Sequence, residues 1–318
     1  MNRMVVPKVF FEPYDGQYAD NVVVVGKYTP LDFETAEPIN PLDGILQKTP
    51  YGMEVMVAKE FPMSWVQNWI DWLNFDNGRG EGGTPLTNRK VTRAILADCM
   101  IAPTASWTSD PINMVNYYGI GRLGWDLNLT ADDIHDEWAR LTFPTMSNAS
   151  LAKIHQLLST SQRAARELME YHGYRGVWFK WDGDKLESNP LDDMTINKTN
   201  IGAPGDTNNL TASYSAGAQE VYRNRTDPRT EEVLLVWERF PYDHKLSSGL
   251  TIAQDIPDQL AKGVADAAAM VETWTSVKDE VDFARYNWTL TTLQHFASTA
   301  LDQQHKVNKF FEKLLGDD

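Results

Sequence analysis

Three apolar runs in the first third of the chain set the tightest limit on its fold. "NVVVVGKY" (21–28), "MEVMVAKEF" (53–61) and "AILADCMIA" (94–102) are almost continuous in apolar and β-branched residues. A strand with one wet face alternates apolar and polar residues, whereas a continuous run marks a strand covered on both faces. Between the second and third runs lies "SWVQNWIDWLNF", with Trp65, Trp69 and Trp72 at helical spacing, followed by the flexible stretch "DNGRGEGGTP". Buried strands joined through helical crossovers form a parallel α/β sheet. Three strands cannot close a barrel of eight. The expectation is therefore a small open sheet or a part of something larger. In the second case the first strand is an edge, and "VVVV" an aggregation site unless another segment covers it.

From about residue 126 the pattern turns helical. "LTADDIHDEWARLTF" has Thr130 as its N-cap, and Asp132 and Asp133 in the first turn, where carboxylates suit the helix dipole. Ile134, Trp138 and Leu141 then recur at i, i+4 and i+7. "SLAKIHQLLSTSQRAARELMEYHG" gives a second helix ending near Gly173, and residues 182–230 read as polar loop. Two long helices are expected at roughly 255–277 and 283–315. The division is a strand-containing part, 1–125, and a helical domain, 126–318. No internal repeat is visible.

Charge and composition then remove several classes of function. The net charge is -15, which argues against binding nucleic acid through a broad basic face. No window approaches the length of apolar chain that spans a bilayer, so no membrane partner is expected. The single cysteine, Cys99, lies in an apolar run and reads as a buried structural thiol. The histidines have no metal-ligand spacing, so neither a metal nor another cofactor is expected. His135 and His155 read as solvated or capping residues of amphipathic helices. "GIGRLG" (119–124) fits G-x-G-x-x-G but neither follows a strand nor opens a helix, so a nucleotide site is not expected. The Trp65, Trp69 and Trp72 stripe reads as core. The first residues lack the apolar core of a signal peptide. Six Asn-x-Ser/Thr sequons, at Asn128, Asn148, Asn197, Asn209, Asn224 and Asn287, point to a secreted glycoprotein.

The candidate chemistry sits where two of the strands end. Lys27 and Asp32 follow the first run and Glu60 closes the second. In parallel α/β folds catalytic groups collect at the C-terminal strand ends. Two carboxylates on neighbouring ends can hold and polarise a water for attack on a sugar carbon. Surface carboxylates at strand ends are also ordinary, and on this argument alone that reading weighs at least as much as the catalytic one.

"DGQYADNVVVVGKYTPLDFETAEPINPL" resembles the segment of glycoside hydrolase family 67 α-glucuronidases that carries a catalytic Asp, with Lys27, Asp32, Glu37, Pro38, Pro41 and Leu42 matching. "MEVMVAKEF" is similar to the strand bearing the family's catalytic Glu, matching at Met53, Glu54 and Glu60. "SWTSDPINMVNYYGIGRLGWDLNLTADDIHDEWARLTF" resembles the segment that joins barrel to helical domain, and "LLVWERFPYDHKLSSGLT" a motif of that domain. The resemblance implies the last strands of a partial (β/α)8 barrel followed by a mainly helical C-terminal domain. It implies an inverting hydrolase that releases (4-O-methyl)glucuronic acid from xylo-oligosaccharides. Asp32 and Glu60 would activate the water, Lys27 would meet the sugar carboxylate, and Trp107 could stack on a sugar ring. A homodimer through the helical domain also follows from the resemblance, while the expected extracellular location rests on the sequons. The family's general acid and a sugar-binding Arg belong to earlier strands, so they are expected upstream of Met1. Ala36 stands where the family usually has Arg, and Glu238 where it has His. The rival expectations are a non-catalytic fragment whose helical domain serves dimerisation, and a sugar-binding module that uses Lys27 and Trp107 without turnover.

Overall fold

A computed structural model describes residues 10–27, 46, 48–57, 62–74, 92–99, 110–171, 174–175, 179–182, 185–188 and 242–316. The described part is mostly helical, with few strands. Strands β1 (Val24–Lys27), β2 (Tyr51–Val57) and β3 (Thr92–Cys99) form a parallel sheet in the order β1-β2-β3. Lys27 lies opposite Glu54, and Val57 opposite Cys99. The three apolar runs thus pair in parallel as expected. Burial on both faces of the first does not hold. Val24 is buried, but Val22, Val23 and Val25 are each about two-fifths exposed (37%, 41% and 41%). Among the described residues β1 is an outer strand with β2 on one side, so its valines lack cover on the other.

An acidic side chain fixes the start of β2. The Asp15 carboxylate accepts from the backbone N–H groups of Lys48 (3.1 Å) and Thr49 (2.8 Å). Gly16 N–H returns a bond to Thr49 Oγ1 at 2.7 Å, with Gly16 at φ +77°, a conformation that suits a residue without Cβ.

Helix α1 (Val66–Leu73) follows β2 and buries Trp65, Val66 and Trp69, so at Trp65 and Trp69 the tryptophan stripe is core. Helices α2 (Met114–Trp125), α3 (Ala131–Thr142) and α4 (Asn148–Met169) stack on it in turn. Thr130 is the N-cap of α3, as read from the sequence. Its Oγ1 accepts from Asp133 N–H while the Asp133 carboxylate accepts from Thr130 N–H, both at 3.1 Å. Short strands β4 (Glu170–Tyr171) and β5 (Tyr174–Arg175) pair after α4. β6 (Phe179–Asp182) and β7 (Lys185–Ser188) then form an antiparallel hairpin joined by Gly183 and Asp184. The expectation of loop from residue 182 is corrected at 185–188. A Gly-Asp pair between strand-length segments is a hairpin signal. The rest of that stretch lies outside the described residues.

The two long helices expected near the end are α5 (Ile252–Thr275) and α6 (Phe283–Gly316). A second capping box, Thr251 with Gln254, opens α5. Glu280, in the short 3-10 turn between α5 and α6, reaches α4. It accepts from Ser147 N–H and from the Ser150 hydroxyl, each at 2.5 Å, and so caps the α4 N-terminus from 130 residues away in sequence. Trp274 stacks on Tyr286, meets Phe143 edge-on, and donates its indole N–H to Tyr286 C=O at 3.0 Å. One apolar core runs from Val24 through α1 to α4 and on to Phe311.

Candidate functional site

Because the sheet is parallel, β1, β2 and β3 all end at one edge, at Lys27, Val57 and Cys99. Lys27 is the last residue of β1 and pairs with Glu54 of β2, so it belongs to the strand and does not follow it. Asp32 comes five residues after Lys27, and Glu60 three after Val57. Asp32, Glu60 and Trp107 lie outside the described residues.

The chain is described again from Pro62, two residues after Glu60, and there it is held unusually. Pro62, Met63, Ser64 and Trp65 are all buried, yet they belong to neither strand nor helix. Buried backbone polar groups need partners, and here side chains from two helices supply them while a third helix meets the Ser64 hydroxyl. The Asn116 amide of α2 makes two of these bonds. Its Oδ1 accepts from Trp65 N–H and its Nδ2 donates to Met63 C=O, both at 2.7 Å. Asn116 Nδ2 also donates to Asn113 Oδ1 at 2.6 Å. Ser161 Oγ of α4 accepts from Ser64 N–H at 2.9 Å and donates to Leu158 C=O at 2.6 Å. From α3, His135 Nε2 lies 2.7 Å from Ser64 Oγ. Leaving one such buried group unpaired costs about 1–3 kcal/mol, so this peptide is fixed at several points.

His135 corrects an expectation. It is 2% exposed rather than solvated or capping. It shares the buried stripe of Ala131, Ile134, Trp138 and Ala139, and that stripe puts it against Ser64. Burial lowers its pKa to about 4, with the nearby His155 ring adding to the effect and Asp132 opposing it. His135 is therefore neutral near pH 7, free to exchange one hydrogen bond with the serine. His155 is only half-buried, with Nε2 3.1 Å from Asp132 Oδ1.

Two other features read from the sequence are now placed. "GIGRLG" lies wholly within α2, so it forms no phosphate loop. A Cβ on Gly119 would collide with the Val66 side chain, while Gly121 and Gly124 face open space. The first glycine thus lets α2 approach α1 closely. Arg122 pairs with Glu137 at 2.9 Å and ties α2 to α3. Among the described residues no cluster of His, Cys, Asp or Glu could hold a metal ion, and no helix is long and apolar enough to cross a membrane.

A parallel strand edge followed by an α-helical layer that grips the segment after its second strand defines an α/β protein with a large helical C-terminal part. Sequence comparison narrows this. The family described as "Glycosyl hydrolase family 67 C-terminus" matches residues 108–317, and "Glycosyl hydrolase family 67 middle domain" matches residues 1–69. The chain belongs to glycosyl hydrolase family 67. It is 26% identical to a probable alpha-glucuronidase A of Aspergillus clavatus over 96% of its own length, and to an alpha-glucuronidase A of Emericella nidulans over the same share. A probable alpha-glucuronidase A of Aspergillus oryzae is equally similar. The chain spans 39% of the length of these relatives.

Proposed function

We propose that this chain provides the water-activating half of an α-glucuronidase site, together with the helical domain of such an enzyme. Residues 1–125 would contribute the last strands of a (β/α)8 barrel and residues 126–318 the helical domain. The substrate is a xylo-oligosaccharide bearing α-linked (4-O-methyl)glucuronic acid, as in xylan breakdown, and the location is extracellular. Asp32 and Glu60 hold a water and remove its proton as it attacks the anomeric carbon from the face opposite the leaving xylose, which inverts that carbon. Lys27 meets the glucuronate carboxylate in a charge-assisted contact and selects an acidic sugar, and Trp107 stacks on a sugar ring. On this reading the proton for the departing xylose oxygen comes from a glutamate outside these 318 residues.

The observation that carries the reading is that β1 and β2 are parallel neighbours, with Lys27 ending β1 opposite Glu54. β1 and β2 therefore end at one edge of the sheet, and in sequence Asp32 and Glu60 follow those ends by five and three residues. The names of the relatives support the activity.

Leaving group and sugar acid give the test. A 4-nitrophenyl α-glucuronide needs no proton on its leaving oxygen, whereas an aldouronic acid does. The 318-residue chain should hydrolyse the first and be slower on the second by about 10²–10⁴-fold, the usual contribution of a general acid. Lys27→Met should raise KM for the glucuronide by about 10–100-fold, the worth of a charged hydrogen bond, and leave 4-nitrophenyl α-glucoside unaffected. Equal turnover of aldouronic acid, or equal loss on both aryl glycosides, would refute the assignment.

A further inference from the structure

The side chains that grip residues 62–65 come from helices α2, α3 and α4, and the gripped peptide begins two residues after Glu60. We propose that Asn116 is a positioning residue: its amide, bonded to Met63 C=O and Trp65 N–H, sets the backbone from which the Glu60 carboxylate is presented to the attacking water. This rests on the reading of Glu60 given above and adds to it a task for α2.

Four observations lead there. Pro62 to Trp65 are buried without belonging to a strand or helix, and the one helical bond that reaches them is that of Trp69 N–H to Trp65 C=O, at the last of the four. Asn116 itself is fully buried and engages both a donor and an acceptor of that segment, two residues apart, through one rigid planar amide. A planar group bonded at both ends constrains direction as well as distance. The amide is held in turn by Asn113 Oδ1, three residues earlier on the N-terminal side of α2. Finally, Ser161 and His135 hold Ser64, the residue between the two that Asn116 engages, from the other helices. The segment after Glu60 thus inherits its place from α2, α3 and α4. Misplacement of a reacting group by about 1 Å can cost on the order of 10²-fold in rate.

A structural clamp and a positioning clamp differ in what their loss does to turnover. Gln303 offers the comparison, because its buried amide also bonds backbone, Leu168 C=O at 2.5 Å, but outside the 62–65 segment. The experiment measures kcat, KM and melting temperature on 4-nitrophenyl α-glucuronide for the full 318-residue chain and its variants. Asn116→Ala should lower kcat on the order of 10²-fold with KM nearly unchanged. Gln303→Ala should lower the melting temperature while keeping kcat. Ser161→Ala removes the bond from Ser64 N–H together with the hydroxyl's bond to Leu158 C=O inside α4, leaves the Asn116 bonds in place, and is the milder variant should Asn116→Ala fail to fold; it should lower kcat several-fold, again with KM nearly constant. Asn116→Ala with unchanged kcat would overturn the proposal. So would a loss of kcat in Gln303→Ala matching that in Asn116→Ala or Ser161→Ala at equal loss of stability. Indifference of the rate to Glu60→Gln is a separate result: it refutes the catalytic reading of Glu60 and the proposal with it.

Discussion

A neutral imidazole in the protein interior leaves a signature in the pH dependence of stability. His135 has its pKa lowered, by burial above all, from 6.5 to about 4. Because the folded-state value lies below the unfolded one, the unfolded chain binds the proton more readily between the two. The stability that goes with a neutral His135 is complete above about pH 6.5 and is lost as pH falls from there through about 4. The loss is on the order of 3 kcal/mol. Melting temperatures should therefore fall between pH 6.5 and 4, and His135→Gln, which cannot titrate, should fall less over the same range. Parallel pH profiles for the two proteins would show that His135 does not carry the effect. Its burial was legible in part. It falls on the Ala131, Ile134, Trp138 and Ala139 stripe, but a histidine in an amphipathic helix is easily assigned to the wet side. What decides its place is Ser64, 71 residues earlier.

At the scale of elements, the pairing of α1 with α2 hangs on one glycine. Gly119 lets α2 lie against α1 because a Cβ there would overlap Val66. Gly119→Ala should destabilise by about 1–3 kcal/mol through overpacking. Gly121→Ala, two positions away in open space, should stabilise by up to about 1 kcal/mol through helix propensity. Thermal or urea unfolding of the two variants checks the pair, and a stabilising Gly119→Ala would contradict the packing described. Local signals predicted most of the elements. The apolar runs gave the three parallel strands, Thr130 gave the start of α3, and apolar periodicity gave α4 to α6. The misses share a cause. The run at β1 reads as covered on both faces because composition does not say where a strand stands in its sheet. The pattern puts the start of α5 near 255, whereas the Thr251–Gln254 box starts it at Ile252. The grip on residues 62–65 joins positions 51 to 97 apart, and no local pattern encodes it. For the site itself, the sequence supplied Lys27 at a strand end, and Asp32 and Glu60 remain assignments by resemblance.

For the whole molecule, two surfaces bear on assembly. Val22 and Val23 just before β1 and Val25 within it are exposed, and α6 exposes Phe283 and Leu301, which lie five helical turns apart on one side. If the helical domain forms a homodimer, light scattering should give twice the chain mass of 36.0 kDa, and Phe283→Lys with Leu301→Lys should return a monomer that melts at the same temperature. A monomer in the unaltered protein would remove the dimer from the account. The central claim is that Asp32 and Glu60 act together on one water, and a double-mutant cycle on 4-nitrophenyl α-glucuronide tests it most directly. Asp32→Asn and Glu60→Gln should each lower kcat by about 10²–10⁴-fold, and the double variant should lose little more than the worse single, as residues acting as a unit do. Losses that multiply, or a single variant with full activity, would contradict it.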